Sequence, residues 1–224
     1  MYLITEAPIW EGAFRIVVKG SHALPICNWR GNRMKVYLAG PDVFLPDALA
    51  VGRRKKALCA QYGFEGLFPF DNEVDPNATG EKVDRQIYRA NEEMIGRADL
   101  GICNLTPFRG PNADAGTVFE LGLLVGLGKR VFGYTNAGDD FLERCKRADP
   151  AATFDPVAKV WRDSHDMTIE NFDNADNLMI DNALVEHGGY PIVRHSAAPG
   201  RLFDDLTGFE KCLQLAQQAL AKSV

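Results

Sequence analysis

The chain has 224 residues, 46% hydrophobic and 25% charged, enough apolar side chains for one ordinary globular domain with a sizeable core. A net charge of −5 and a pI near 5.4 argue against a broad basic surface for a nucleic-acid polymer, and the one short cationic run, Arg53–Lys56, reads as a solvated helix face. No apolar stretch reaches the length of a signal peptide or a membrane span, so a soluble cytoplasmic protein without a membrane partner is expected.

Residues 1–34 are broken repeatedly by Gly, Pro, Trp and Asn, and only FRIVV (14–18) resembles a strand. Two readings stay open for this N-terminal extension: an extended start with Met34 as the true initiator, or an arm that packs on the domain or on a partner. From residue 35 to 224 the pattern is that of one domain. KVYLAG (35–40) is a buried strand ended by Gly40-Pro41. A helix follows over about 47–62, apolar at Ala48, Leu49, Val51, Leu58 and Ala60. FEGLFPF (64–70) is a second strand and 71–79 a loop. The next helix, about 81–97, places Val83, Ile87, Ala90, Met94 and Ile95 on one face. LGICNL (100–105) is a third strand, 106–112 a loop, 114–127 a helix and RVFGYT (130–135) a fourth strand. Residues 137–175 are irregular apart from a helix near 139–147. DNLMIDNAL (176–184) reads as a helix or a strand, and 202–222 as a closing amphipathic helix. Alternating strands and helices imply an α/β fold, a doubly wound (flavodoxin-like or Rossmann-like) parallel sheet flanked by helices. Ligands bind such sheets at the carboxyl ends of the strands, which places the loops at 40–46, 69–80 and 106–113 on one rim.

Cys27, Cys59, Cys103, Cys145 and Cys212 are dispersed without CxxC or Cys/His spacing, and read as reduced thiols. His22, His165, His187 and His195 read as surface or loop imidazoles. Neither a metal nor another cofactor is expected.

The stretch PNADAGTVFELG (111–122) carries the chemistry. Asp114 suits a helix N-cap. Gly116 lies four residues before Glu120 on the same face, and helical side chains lean towards the N-terminus, so Glu120 leans over a bare surface with room for a ligand. Gly122 and Gly126 suit close packing of the helix on the sheet. The positive helix terminus favours an ionised Glu120. That carboxylate is then either a nucleophile or cation stabiliser, or one that pairs with a nearby arginine. Tyr37 is either a donor to Glu120 or a core tyrosine. Asp71 and Asn72 are also ordinary turn formers.

Together, VYLAGPDVF (36–44), GFEGLFPFDNE (63–73), ADLGICNLTPFRGPNADAGTVFELG (98–122), GKRVFGYTN (128–136) and, more weakly, DNLMID (176–181) resemble the nucleoside 2-deoxyribosyltransferase family over about residues 35–185. The similarity is greatest to members with NLTPFRG-type loops. The resemblance implies transfer of 2-deoxyribose between nucleobases, as in nucleotide salvage, with 2′-deoxynucleosides and free bases as substrates. It makes Glu120 the nucleophile at C1′, Tyr37 its orienting donor and Asp114 the group that contacts and protonates the leaving base. Asn177 matches an asparagine that reaches the sugar from a neighbouring subunit, which implies a homo-oligomer with shared sites. Asn91 stands where some members carry a base-contacting aspartate, and its amide alters the donor and acceptor pattern. The chain ends AKSV, so the terminal-carboxylate role of members ending in tyrosine is not carried over. Asp71, Gly40, Gly116 and Arg109 complete the candidate binding residues, with Arg109 and Asn112 placed to meet a phosphate or a base. Two other readings compete: a hydrolase of deoxynucleosides or their 5′-monophosphates, and a non-catalytic nucleotide sensor. The AGPD first loop, in place of the GSIR-like loop of a related hydrolase branch, favours the transferase.

Overall fold

The computed structural model describes residues 33–72 and 80–222, so the strand expected at 14–18 and most of the 71–79 loop lie outside the described residues. Arg33–Val224 form one compact unit. Its centre is a parallel sheet of β1 (Lys35–Ala39), β2 (Glu65–Leu67), β3 (Leu100–Asn104), β4 (Arg130–Thr135) and β8 (Val193–Arg194), in the order β2-β1-β3-β4-β8. Tyr37 lies opposite Leu67 on one side and Gly101 on the other. The inner strands read as nearly unbroken apolar runs because both faces of the sheet are covered.

Strand alternation divides the core in two. On one face Val36, Leu38, Leu100 and Phe132 meet Cys59 of α1 (Ala48–Gln61) and Phe209, Cys212 and Leu213 of α6 (Thr207–Ala221). On the other, Tyr37, Ala39, Cys103 and Leu105 meet Met94 of α2 (Val83–Arg97), Leu121 and Leu124 of α3 (Ala115–Gly126) and Leu184 of α5 (Leu178–Gly188). The doubly wound architecture expected from the sequence is therefore the one observed.

Three details differ from expectation. In the Arg53–Lys56 run, Arg53 and Arg54 are exposed but Lys55 is fully buried, because it falls in phase with Val51, Gly52 and Cys59 on the sheet side of α1. On α2 only Met94 and Ile95 are buried, while Val83 and Ile87 face outwards. Gly122 and Gly126 are exposed, and a Cβ on either would meet nothing within 4 Å. The close approach of α3 is made by the sheet instead: a Cβ on Gly101 would lie 2.3 Å from Leu124 Cδ1.

After α4 (Phe141–Ala148), the stretch read as irregular forms a small antiparallel sheet of β5 (Thr153–Asp155), β6 (Val160–Arg162) and β7 (Thr168–Ile169). Strands of two or three residues are too short to show a period of two. The ambiguous 176–184 segment resolves as helix α5, capped by Asn177.

Candidate active site

The strand order places β1 between β2 and β3, with helices leaving to opposite faces, so the crevice of the switch point opens at the carboxyl ends of β1 and β3. Two elements aim at it from the face covered by α3. β1 turns Tyr37 to that face. The loop after β3 delivers the N-terminus of α3, where Asp114 Oδ2 accepts from the Thr117 backbone N–H at 2.9 Å and from Thr117 Oγ1 at 3.0 Å. That cap fixes the start of the helix and hence the phase of Glu120, its sixth residue. The Tyr37 hydroxyl donates to Glu120 Oε1 at 2.5 Å, a short charge-assisted contact.

Burial sets the electrostatics. The Glu120 carboxyl is pushed from an ordinary 4.5 up to about 7, chiefly by loss of water; the hydrogen bond from Tyr37 opposes the rise and the nearby Asp114 adds to it. The helix terminus does not hold Glu120 ionised, contrary to the sequence expectation. The dipole acts within the first turn, and Glu120 lies beyond it. No arginine or lysine forms an ion pair with Glu120 among the described residues. Burial raises the Tyr37 phenol far above its usual range, and the Cys103 thiol likewise, so Tyr37 stays a neutral donor. Gly116 is exposed, and a Cβ there would sit 3.1 Å from Asp114 Oδ2; its bareness leaves space for the capping carboxylate as well as for a ligand.

Across the sheet lies a polar cluster that the motif reading did not single out. Asp42 and Lys55 form an ion pair at 2.6 Å with side chains 0% and 1% exposed. Asp42 also accepts from Asn104 Nδ2 at 3.2 Å. Asn104 Oδ1 in turn accepts from the Thr106 backbone N–H and hydroxyl, and Thr106 Oγ1 accepts from the Asn136 backbone N–H. The chain of bonds ties together the segments that follow β1, β3 and β4. Gly40 belongs to this cluster, since a Cβ on it would lie 2.3 Å from Asp42 Oδ2 and 2.7 Å from Asn104 Cβ. One signal in the sequence pointed there: Lys55 stands at a buried helical phase, and a buried ammonium demands a carboxylate.

The remaining candidates have definite partners. Asp71 Oδ1 accepts from Lys56 at 2.5 Å and Oδ2 accepts from the Phe68 backbone N–H at 3.0 Å, so this carboxylate closes a short turn. The next residue, Asn72, donates from Nδ2 to Asn91 Oδ1 at 3.0 Å. Asn177 caps α5 by accepting from the Met179 backbone N–H, and its Nδ2 donates to Glu170 at 2.6 Å. Asn112 donates to Asp176, whose other oxygen accepts from the Ala113 backbone N–H. Arg109, in the left-handed region at φ 57°, lies over the rings of Phe108 and Phe44 at 4.7 and 5.1 Å. Tyr37, Glu120 and Asp114 are thus brought together at one end of the sheet, while Asp71, Asn91 and Asn177 are held by neighbours of their own.

The nucleoside 2-deoxyribosyltransferase family model matches residues 36–179. A solved 2-desoxiribosyltransferase from Leishmania mexicana is 27% identical, with a TM-score of 0.54, and the match covers 81% of this chain and 97% of that one. An uncharacterized protein of Schizosaccharomyces pombe is 30% identical over 172 residues, 72% of this chain and 82% of its own length. With Glu120, Tyr37 and Asp114 inside the matched region of a parallel α/β sheet, the chain belongs to the nucleoside 2-deoxyribosyltransferase family and is an enzyme of the transferase class.

Proposed function

We propose that the protein exchanges nucleobases on 2′-deoxynucleosides by double displacement through Glu120. The observation that carries this reading is the 2.5 Å hydrogen bond from Tyr37 to a Glu120 carboxyl raised to about 7 by burial, with no ion pair to it among the described residues. A desolvated carboxylate is a strong nucleophile, and it stabilises the oxocarbenium-like state through which an N-glycosidic bond breaks. A Glu120 oxygen attacks C1′ from the face opposite the base, and the C1′–N electron pair leaves with the base. The departing nitrogen takes up a proton that comes from solvent, and Asp114, at the mouth of the same helix, is the group placed to relay it. A second base then attacks C1′, loses its proton, and frees Glu120 with net retention. Tyr37 fixes which carboxylate oxygen faces the sugar and favours the ionised form. Asn177 spends one Nδ2 hydrogen on Glu170 and keeps the other, which is the donor it would offer to the sugar of another subunit in a homo-oligomer with shared sites.

The test is a transfer assay with thymidine or deoxyinosine as donor and free adenine as acceptor, products being separated by chromatography. Deoxyadenosine should form with wild-type protein and vanish in Glu120→Gln. Donor without acceptor should add one deoxyribosyl group to the intact mass of the wild-type chain only. Base released equally with and without acceptor would instead make the protein a hydrolase.

A further inference from the structure

Three loops of the rim meet in an aromatic cluster. Phe44, from the segment after β1, stacks on Phe108, from the loop after β3, with centroids 5.1 Å apart and planes 11° from parallel. Phe203, which precedes α6, meets Phe108 edge-on at 6.0 Å. Arg109 lies over both stacked rings. A guanidinium bound through its face keeps its N–H edge free to donate, and that edge matches phosphate and carboxylate oxygens.

Several other cations near the rim are already paired: Lys55 with Asp42, Arg194 with Asp140 and Arg201 with Asp204. Arg109 is exposed and forms no ion pair with any described carboxylate, although it stands in the loop that leads straight into Asp114 and α3. Its backbone sits in a region that non-glycine residues seldom occupy, in a loop closed by the Phe108 N–H to Asn112 carbonyl bond at 2.9 Å. The base and hydroxyls of a deoxynucleoside are neutral. A 5′-phosphate is the one substituent of such a donor that an unpaired guanidinium would select. The carboxylates of Glu120 and Asp114 near the reacting carbon would repel that phosphate unless a cation met it.

We infer that Arg109, presented by the Phe44–Phe108 stack, binds the 5′-phosphate of the donor, and that the enzyme takes 2′-deoxynucleoside 5′-monophosphates in preference to unphosphorylated nucleosides. The inference rests on the deoxyribosyl-transfer reading of the site. A 2-deoxyribose joins the two regions, with C1′ at Glu120 and its 5′ substituent directed to the loop after β3.

The experiment compares kcat/KM for a deoxynucleoside and its own 5′-monophosphate in wild type, Arg109→Gln and Arg109→Lys. Both donors undergo the same bond cleavage, so their ratio cancels changes in the chemical step. The ratio should favour the monophosphate in wild type and fall about tenfold to a hundredfold in Arg109→Gln, as expected for loss of a charge-assisted bond, with Arg109→Lys between the two. A wild-type ratio at or below one, or a ratio unmoved by Arg109→Gln, overturns the inference and leaves Arg109 as a stiffener of its loop. If neither donor is turned over, the transfer reading fails, and calorimetric Kd values decide the phosphate site by themselves. Tighter binding of the monophosphate than of the nucleoside, lost in Arg109→Gln, would support it; equal binding would refute it.

Discussion

Two carboxylates flank the crevice, Asp42 fully buried and Glu120 half-buried, and they are treated in opposite ways. Asp42, on the side of α1 and α6, is fully buried against an ammonium at 2.6 Å and an asparagine amide. Glu120, on the side of α3, receives one phenol and the field of a second carboxylate. A carboxylate matched by a full cation is a settled ion pair that pins loops together. One matched only by a neutral donor keeps a high affinity for a proton or for an electrophilic carbon. On the proposed transfer mechanism, reactivity follows from leaving out a lysine, and the Asp42 cluster shows that the fold can bury one where loops are pinned together.

The comparison is tested most severely by Glu120→Gln. With Glu120 as the proposed nucleophile, this change should lower transfer at least about a thousandfold. The same change should stabilise the fold. The Glu120 carboxyl is raised in the native state, from an ordinary 4.5 to about 7, so the folded protein holds this proton more tightly than the unfolded chain. Ionisation therefore costs native stability as pH climbs between those values. Glu120→Gln removes that cost, and its advantage over wild type in urea unfolding should grow from near zero at pH 4.5 to roughly 2–3 kcal/mol above pH 7. A constant difference across that range would mean that Glu120 is not held desolvated.

Asp42→Ala should do the reverse. Leaving Lys55 as an unpaired buried cation should cost about 3–5 kcal/mol in urea unfolding. Asp42→Leu combined with Lys55→Met should recover much of that loss, because neither charge is then stranded. A double variant no better than Asp42→Ala would shift the weight from charge pairing to the Asn104 and Thr106 hydrogen bonds.

The two carboxylates were not equally legible. Glu120 sits in a motif whose loop-to-helix transition, N-cap and four-residue spacing from Gly116 can be read from residue types alone, and the strands and long helices follow from apolar period. Its protonation could not be read, because it depends on burial by residues distant in sequence, among them Tyr37, 83 positions away. Asp42 looked like a loop residue after a Gly-Pro breaker, and Lys55 like one of four solvated cations. Only the packing of α1 on the sheet shows that they meet. The β5–β6–β7 sheet was illegible for a simpler reason, since strands this short carry no period and form through pairing alone.

Tyr37→Phe sharpens the contrast on the reactive side. It keeps the core filled and removes one bond to the carboxylate, so transfer should fall about tenfold to a hundredfold. In wild type kcat/KM should rise with pH and level off above about 7, as Glu120 ionises in the free enzyme. The Tyr37 bond lowers that value, so Tyr37→Phe should move the acid limb to higher pH, with a heavier loss at pH 6 than at pH 8. A loss of equal size at both would mean that the phenol only orients the carboxylate.

The smallest effect expected has the opposite sign. Asp114 raises the Glu120 pKa by like-charge repulsion, the weakest of its three influences. Asp114→Asn removes the charge yet retains a side chain that caps a helix as well as aspartate does, so the Thr117 contacts and the helix start are preserved. The acid limb of kcat/KM should then move to lower pH by a fraction of a unit, against the upward shift of Tyr37→Phe. The position of the limb is independent of the plateau height, so any loss of proton donation to the departing base leaves this readout intact. Because the two shifts act on one carboxylate through different neighbours, the double variant should bring the limb back towards its wild-type position. A limb that stays put in Asp114→Asn would show that solvent screens the two carboxylates from each other, leaving burial and the Tyr37 bond to set the proton affinity of Glu120.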